Sequence, residues 1–248
     1  MSQQLGQGEV KAKTKTAAFF DLDRTLIDVN STILFAKFEH AAKRISQLQF
    51  LNLLRNVVLY HFNLVKIERA YEQAIAHYAG FEEGHIESRT FEFFENQVRS
   101  RLQPGAKAAL SSHRAQGHAL VMLTASTSFQ AKIATSAWGL DDWIANRFET
   151  NEGRMSGKIK LPLCYGDGKL VYAKEWAEVN GVDLGLSYFY SDSYTDLPML
   201  KAVGFPVVVN PDPKLRRYAL TNGWPVVDWT ESAGGHSIEK ASGGPLAQ

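Results

Sequence analysis

The chain has 248 residues, 45% of them hydrophobic, and carries 27 Lys and Arg against 26 Asp and Glu. That length suits one large domain, or a core domain with a substantial insertion. A formal net charge of +1 provides no overall field for a nucleic-acid partner, and the single cysteine, Cys164, excludes an internal disulfide and an all-cysteine metal site. A reducing compartment, the cytoplasm, is the expected setting.

In chain order, residues 1–15 are polar and form no apolar leader core, so a flexible arm is expected there. The run AAFF at 17–20 then reads as a short central parallel strand, followed at once by Asp21 and Asp23. Ser31 is placed to N-cap a helix with Ile33, Leu34, Phe38, Ala41 and Ala42 on one side. Further helical patterns cover 50–65, 67–78 with Gly80 as a stop, and 83–102. The apolar stretch 48–65 holds Arg55 and His61, which makes it a poor bilayer span. Helix packing, or a homodimer contact through this face, is the expectation, with no stable membrane insertion.

After Pro104 and Gly105 the pattern changes to alternating helix and strand. Helix 106–116 is stopped by Gly117, HALVMLTAS at 118–126 is a buried strand, and 127–138 is a helix. NRFETNEGRMSGKIK at 146–160 reads as a hairpin turning at 151–153. A helix at 170–179, a strand LSYFYSD, a short helix near 197–203 and a strand PVVVN follow, and 231–248 reads as a Gly- and Ser-rich flexible tail. The alternation implies an α/β fold with a doubly wound, mainly parallel sheet. The Rossmann-like core is expected from 16–30 and 103–229, interrupted by an α-helical insertion at 31–102.

Sites in such sheets lie at the carboxyl ends of strands, and here those ends carry Asp21 and Asp23, Thr124, and Asp192 with Asp196. Hard carboxylate oxygens suit Mg²⁺ rather than zinc, since the histidines form no ligand cluster. Two acids one residue apart on an extended segment point the same way, so one can attack while the other handles a proton. Blander roles exist for each: Asp23 can cap a turn, Thr124 can satisfy the strand-end backbone, and Asp196 can N-cap the helix that begins near Leu197. The aromatics of the insertion, Tyr71 among them, read mostly as core at helical spacing.

Four ordered stretches, FFDLDRTLI, VMLTAS, the lysine of GDGKLVYAKEWA, and YSDSYTDLPML, resemble the motifs of the haloacid dehalogenase superfamily, in particular its phosphoserine-phosphatase-like group. The resemblance implies a Mg²⁺-dependent phosphomonoester hydrolase acting on a small phosphorylated metabolite. By that resemblance Asp21 is the nucleophile that forms an aspartyl-phosphate, and Asp23 protonates the leaving oxygen and then activates water. Thr25 shapes the loop beyond the strand. Thr124 and the backbone amide of Ala125 hold the phosphoryl oxygens, and Lys169, rather than the nearby Lys174, neutralises the reacting charge. Asp21, Asp192 and the carbonyl of Asp23 ligate the cation, with Asp196 supporting the metal shell or Lys169.

The helical insertion corresponds to a cap that sets the leaving group. The phosphoserine enzymes carry a glutamate nine residues after the nucleophile, where this chain has Asn30. Their F-x-x-(S/A)-L-x-x-R signature aligns with YEQAIAHY, which ends in Tyr78 instead of arginine. Asn30 and Tyr78 are therefore expected to contact a substrate other than phosphoserine, such as an amino-alcohol or lipid-like phosphate. Phosphoryl transfer to an alcohol and a non-catalytic phosphate-binding module are the alternative readings.

Overall fold

The computed structural model describes residues 15–61 and 67–230. The expected arm and tail, and the end of the 48–65 stretch, fall largely or wholly outside these residues. Six strands form one parallel sheet: β1 (Ala17–Phe20), β2 (Ala119–Thr127), β3 (Asp142–Asn146), β6 (Tyr188–Ser191), β7 (Phe205–Val209) and β8 (Val226–Val227). Two more, β4 (Phe148–Asn151) and β5 (Arg154–Ile159), pair antiparallel as the expected hairpin. The sheet order is β3-β2-β1-β6-β7-β8. From β1 the chain builds outward through β2 and β3 on one side and later through β6, β7 and β8 on the other. The reversal falls between β1 and β6, so a crevice opens at the carboxyl ends of these strands.

Every residue of β1 is buried, which explains an apolar run without polar alternation. Successive side chains take opposite faces. Ala18 and Phe20 pack in one core with Leu110 of α5 (Pro104–Ala115) and Ala131 and Ala134 of α6 (Ser128–Trp138). Ala17 and Phe19 pack in the other with Ala173 of α7 (Asp167–Asn180), Leu200 of α8 (Leu197–Ala202), and Leu215 and Ala219 of α9 (Pro213–Thr221). Helices thus cover both faces, as the sequence alternation implies.

Between β1 and β2 the chain forms α1 (Ser31–Ala41), α2 (Gln47–His61), α3 (Ile67–Ala76) and α4 (Glu83–Phe93). The expected single helix over 83–102 instead loosens into a π turn at Phe94–Val98 and a 3₁₀ turn at Arg99–Arg101. Asn30, not Ser31, caps α1: its side-chain oxygen accepts from the Ile33 amide at 3.0 Å, and Ser31 is the first helical residue. The two polar residues are adjacent, and only geometry distinguishes them. Elements β3, α9 and β8 lie where the residue pattern predicts none. β3 is five residues long, too short to show its own alternation.

The helical insertion is tied to the sheet unevenly. Phe93 and Phe94 of α4 and the π turn are fully buried in the same core as Phe20 and Met122, with Phe35 and Phe38 of α1 packed against that core. Buried Glu39 of α1 ion-pairs with Arg89 of α4, and Arg44 bridges Glu39 and Glu92 at 3.1 and 2.6 Å. In contrast, α3 rests on the hairpin: Gly80 and Phe81 exchange main-chain hydrogen bonds with Met155, both at 2.8 Å. Arg154 reaches the Gly80 carbonyl at 2.9 Å and Glu82 at 2.9 Å. No helix among the described residues is long and apolar enough to cross a membrane.

Candidate active site

Asp21 extends the central strand by one ladder bond, its amide donating to the Tyr190 carbonyl at 3.0 Å. The chain then turns sharply. Arg24 takes a left-handed φ of 56°, unusual for a side chain of this size, and its amide closes a loop onto the Val29 carbonyl at 3.1 Å. This loop carries half-buried Asp23 beside Asp21 and leaves Arg24 exposed. The Asp23 Oδ1 atom accepts from the Ser31 amide at 3.0 Å, so the first turn of α1 fixes one of its two carboxylate oxygens. Thr25 is fully buried beneath, and its carbonyl accepts from Gln103 Nε2 at 2.7 Å.

Lys169 stands in the first turn of α7, where buried Gly168 lies so close to the Leu163 carbonyl that a β-carbon would collide with it. The close seat lets the ammonium enter the crevice, where it donates at 2.7 Å to both Asp21 Oδ1 and Asp196 Oδ2. Its side chain is 3% exposed. Lys174, one turn further on, is exposed. Asp196 ends a 3₁₀ turn, Tyr194–Asp196, and gives α8 no side-chain cap; its carboxylate receives Lys169 and the Ser191 hydroxyl, the latter at 2.6 Å. Asp196 is thus built to hold the lysine.

Asp192 follows β6 and is 7% exposed. Among the described residues no donor bonds its carboxylate. Burial first, then the neighbouring Asp21 and Asp196, push its pKa up to about 8. Burial also raises Asp21 against the pull of Lys169, and it raises Asp23 against the Ser31 hydrogen bonds. The ammonium of Lys169 is disfavoured by burial, yet Asp196 and Asp21 together outweigh that and raise its pKa. One fixed cation therefore faces three buried acids. This excess of carboxylate, with no donor on Asp192 among the described residues, is what a hard divalent cation satisfies. Among the described residues no three His, Cys, Asp or Glu side chains form a metal cage. Magnesium needs fewer protein groups, because it keeps several waters.

At the end of β2, buried Thr124 Oγ1 accepts from the Ser126 amide at 3.0 Å, leaving its own proton free to donate. β2 then passes directly into α6, capped by Thr127, whose hydroxyl accepts from Gln130 N at 3.2 Å. The crevice thus gathers Asp21, Asp23, Lys169, Asp192 and Asp196, with Thr124 and Ala125 at the adjoining strand end.

Asn30 and Tyr78 are otherwise engaged. Asn30 caps α1, and Tyr78 packs edge-on against Phe81 at 5.9 Å beside the Ile86, Phe129 and Met155 cluster. The insertion's approach to β2 is made instead by Tyr71 of α3, whose hydroxyl donates to the Ala125 carbonyl at 2.6 Å. Asn146 donates to the same carbonyl at 2.7 Å. The sequence offers only a weak signal for Tyr71, a polar-tipped aromatic at the head of the aligned signature, and none for Asn146.

The parallel sheet, its reversal point and the lysine between two acids define an α/β fold with a charged site at its strand ends, and comparison with known proteins gives the family. Residues 18–201 match the haloacid dehalogenase-like hydrolases, and the chain belongs to that family. A probable phosphatase of Mycobacterium tuberculosis is 32% identical over 231 residues, covering 90% of this chain and 78% of its own. A histidinol-phosphatase of Neisseria meningitidis serogroup C is 27% identical over 225 residues, covering 87% of this chain and 99% of its own. Among solved structures, a Bordetella pertussis Tohama I protein of unknown function has a TM-score of 0.80 at 31% identity, over 88% of this chain and all (100%) of that one. A phosphoserine phosphatase held as a phospho-aspartyl intermediate analogue shares the fold, with a TM-score of 0.63 at 15% identity over 89% and 95% of the two chains. The chain is thus a member of a hydrolase family, and its relatives include proteins named as phosphatases.

Proposed function

We propose that the protein is a Mg²⁺-dependent phosphomonoesterase working through a phosphorylated Asp21. The observation that carries this reading is the Lys169 ammonium bridging Asp21 and Asp196 at 2.7 Å, with Asp23 on the next turn of chain. A binding module has no need of a second acid beside a cation-paired carboxylate.

In the first step Asp21 Oδ attacks phosphorus, the ester P–O bond breaks, and Asp23 delivers its proton to the departing oxygen. A carboxyl that burial holds above its usual range keeps such a proton available, and the Ser31 amide on Oδ1 leaves Oδ2 to carry it. In the second step Asp23 takes a proton from water, whose oxygen attacks phosphorus and releases phosphate and free Asp21. Lys169 draws Asp21 toward its ionised form against the effect of burial and offsets charge on the phosphoryl oxygens. Thr124 donates its hydroxyl to one of those oxygens, beside the Ala125 amide. Asp21, Asp192 and the Asp23 carbonyl would hold the magnesium ion, which supplies the charge that lets a carboxylate approach an anionic phosphate. Asp196 steadies Lys169.

The segment 31–102 serves as the cap over this crevice. A small phosphorylated metabolite is the substrate class, and the engagement of Asn30 and Tyr78 within the protein speaks against phosphoserine. An amino-alcohol phosphate is the specific alternative, favoured by the histidinol-phosphatase relative that this chain matches over nearly its whole length. Turnover of an aryl phosphate by wild type and Asp21→Asn tests the reaction. Loss of turnover in a folded variant is expected, and substantial remaining activity overturns the nucleophile. A panel of amino-acid, amino-alcohol, sugar and lipid monophosphates ranked by kcat/KM then tests the substrate class.

A further inference from the structure

Tyr71 belongs to the helical segment, yet its hydroxyl bonds to main chain at the end of β2. The acceptor, the Ala125 carbonyl, also receives Asn146 Nδ2 at 2.7 Å, and Asn146 Oδ1 is fixed by the Cys164 amide at 2.8 Å. Ala125 lies between Thr124 and Ser126, where the phosphoryl oxygens are expected. In a trans peptide the carbonyl and the following N–H point in opposite directions. Two donors on the Ala125 carbonyl therefore set the direction of the Ser126 amide, which in turn meets Thr124 Oγ1 at 3.0 Å.

The ring of Tyr71 is anchored independently of its hydroxyl, packing against Ile75, Ile159 and Leu163. Burial, reinforced by the charge of Asp23, raises the phenol, so it stays a donor at neutral pH. The phosphoserine signature that YEQAIAHY follows begins with phenylalanine, which has no such donor. Tyr71 brings a hydroxyl to the position where that signature has phenylalanine.

We propose that Tyr71 is a positioning residue for the phosphoryl pocket: its hydroxyl holds the Ala125–Ser126 peptide from the helical side, so the pocket has its working shape only while α3 is seated. This rests on the phosphatase reading above. It makes α3 a sensor as well as a cover, because movement of the helix removes one of the two donors that orient this peptide.

The test is Tyr71→Phe in the full chain with Mg²⁺, read by kcat and KM for an aryl phosphate, by inhibition with orthovanadate, and by thermal unfolding. Vanadate adopts the five-coordinate geometry of the transferring group and reports the pocket directly. Expected is a fivefold to tenfold loss, roughly the factor of one neutral hydrogen bond, in both kcat and vanadate affinity, with the unfolding temperature nearly unchanged. A variant within twofold of wild type in both readouts overturns the proposal while leaving the phosphatase reading intact. So does a lowered unfolding temperature with vanadate affinity unchanged, which marks a purely structural tyrosine. A wild type that neither turns over phosphate esters nor binds vanadate overturns both.

Discussion

Replacing Lys169 by methionine keeps an unbranched side chain of nearly the same length and removes its charge from between two acids. The ammonium lies 2.7 Å from each of Asp21 and Asp196, and the side chains of the lysine and Asp196 are 3% and 2% exposed. Breaking a buried pair by deleting one partner costs about 3–5 kcal/mol, because the remaining charge is left uncompensated. Here two carboxylates are stranded, but each can take up a proton. Asp21, already raised by burial, rises further once the lysine is gone, so the folded variant binds more protons than its unfolded state above the ordinary carboxylate range. Stability then increases as pH falls, and the deficit of Lys169→Met against wild type shrinks between pH 8 and pH 5. Urea unfolding followed by tryptophan fluorescence, with chelator present, measures this directly. Activity with Mg²⁺ should fall by about 10² to 10³, the usual loss when one fixed electrostatic stabiliser is removed. The exposed Lys174, changed to methionine, should leave both properties near wild type. A Lys169→Met enzyme within tenfold of wild type, or an equal loss in Lys174→Met, refutes the reasoning.

Other expectations follow from the same structure. Chelation should abolish turnover and added Mg²⁺ restore it, and Asp192→Asn should raise the Mg²⁺ concentration for half-activity by tenfold or more; an unchanged requirement removes Asp192 from the metal site. Gly168→Ala forces the start of α7 away from Leu163 and should lower kcat at least tenfold; wild-type kinetics would show that the close seat does not place Lys169. Phe93→Ala empties a fully buried site between Phe35 and Phe38, at ring distances of 5.1 and 5.6 Å, and should cost about 3–5 kcal/mol in urea unfolding. His113 bonds Tyr190 OH at 2.7 Å and, through burial and then the charge of His118, is held down to about 4. Its unfolded value near 6.5 means the unfolded state takes up the proton first. Its contribution is complete above about pH 6.5 and is lost as pH falls toward 4, at up to about 1.4 kcal/mol per pH unit. His113→Gln should flatten that acid slope in urea titrations, and parallel profiles would contradict the assignment.

What could be read from residue order was what depends on local periodicity and strand ends. AAFF, ALVMLTAST and YFYS are apolar enough to mark central strands, and the polar residues that follow them converge because parallel strands all end at one edge. The choice of Lys169 over Lys174 rested on motif spacing, and the geometry separates the two by placing one among the acids and the other in solvent. Contacts between distant segments were not legible. Nothing local says that the 148–159 hairpin pairs with the turn after α3, or that α1 and α4 join the core under β1 while α3 leans over β2. The aligned signature pointed to its last residue, Tyr78, because charge replacement stands out in a sequence. The hydroxyl that reaches the strand end is on its first, Tyr71, and only the path of α3 decides that. Asn30 is ambiguous for a similar reason: an amide next to a serine at a helix start reads equally as ligand or cap, and the structure shows the cap bond to Ile33 N.

The central claim is a covalent phosphoenzyme on Asp21. Its most direct measurement is rapid quenching of the Mg²⁺-loaded enzyme during turnover of a ³²P-labelled monoester, followed by peptide mapping of the trapped label. The account predicts a hydroxylamine-labile phosphate on the peptide containing Asp21, formed at the rate of turnover and absent in Asp21→Asn. Full turnover with no label on that peptide, or label on a different residue, would contradict it.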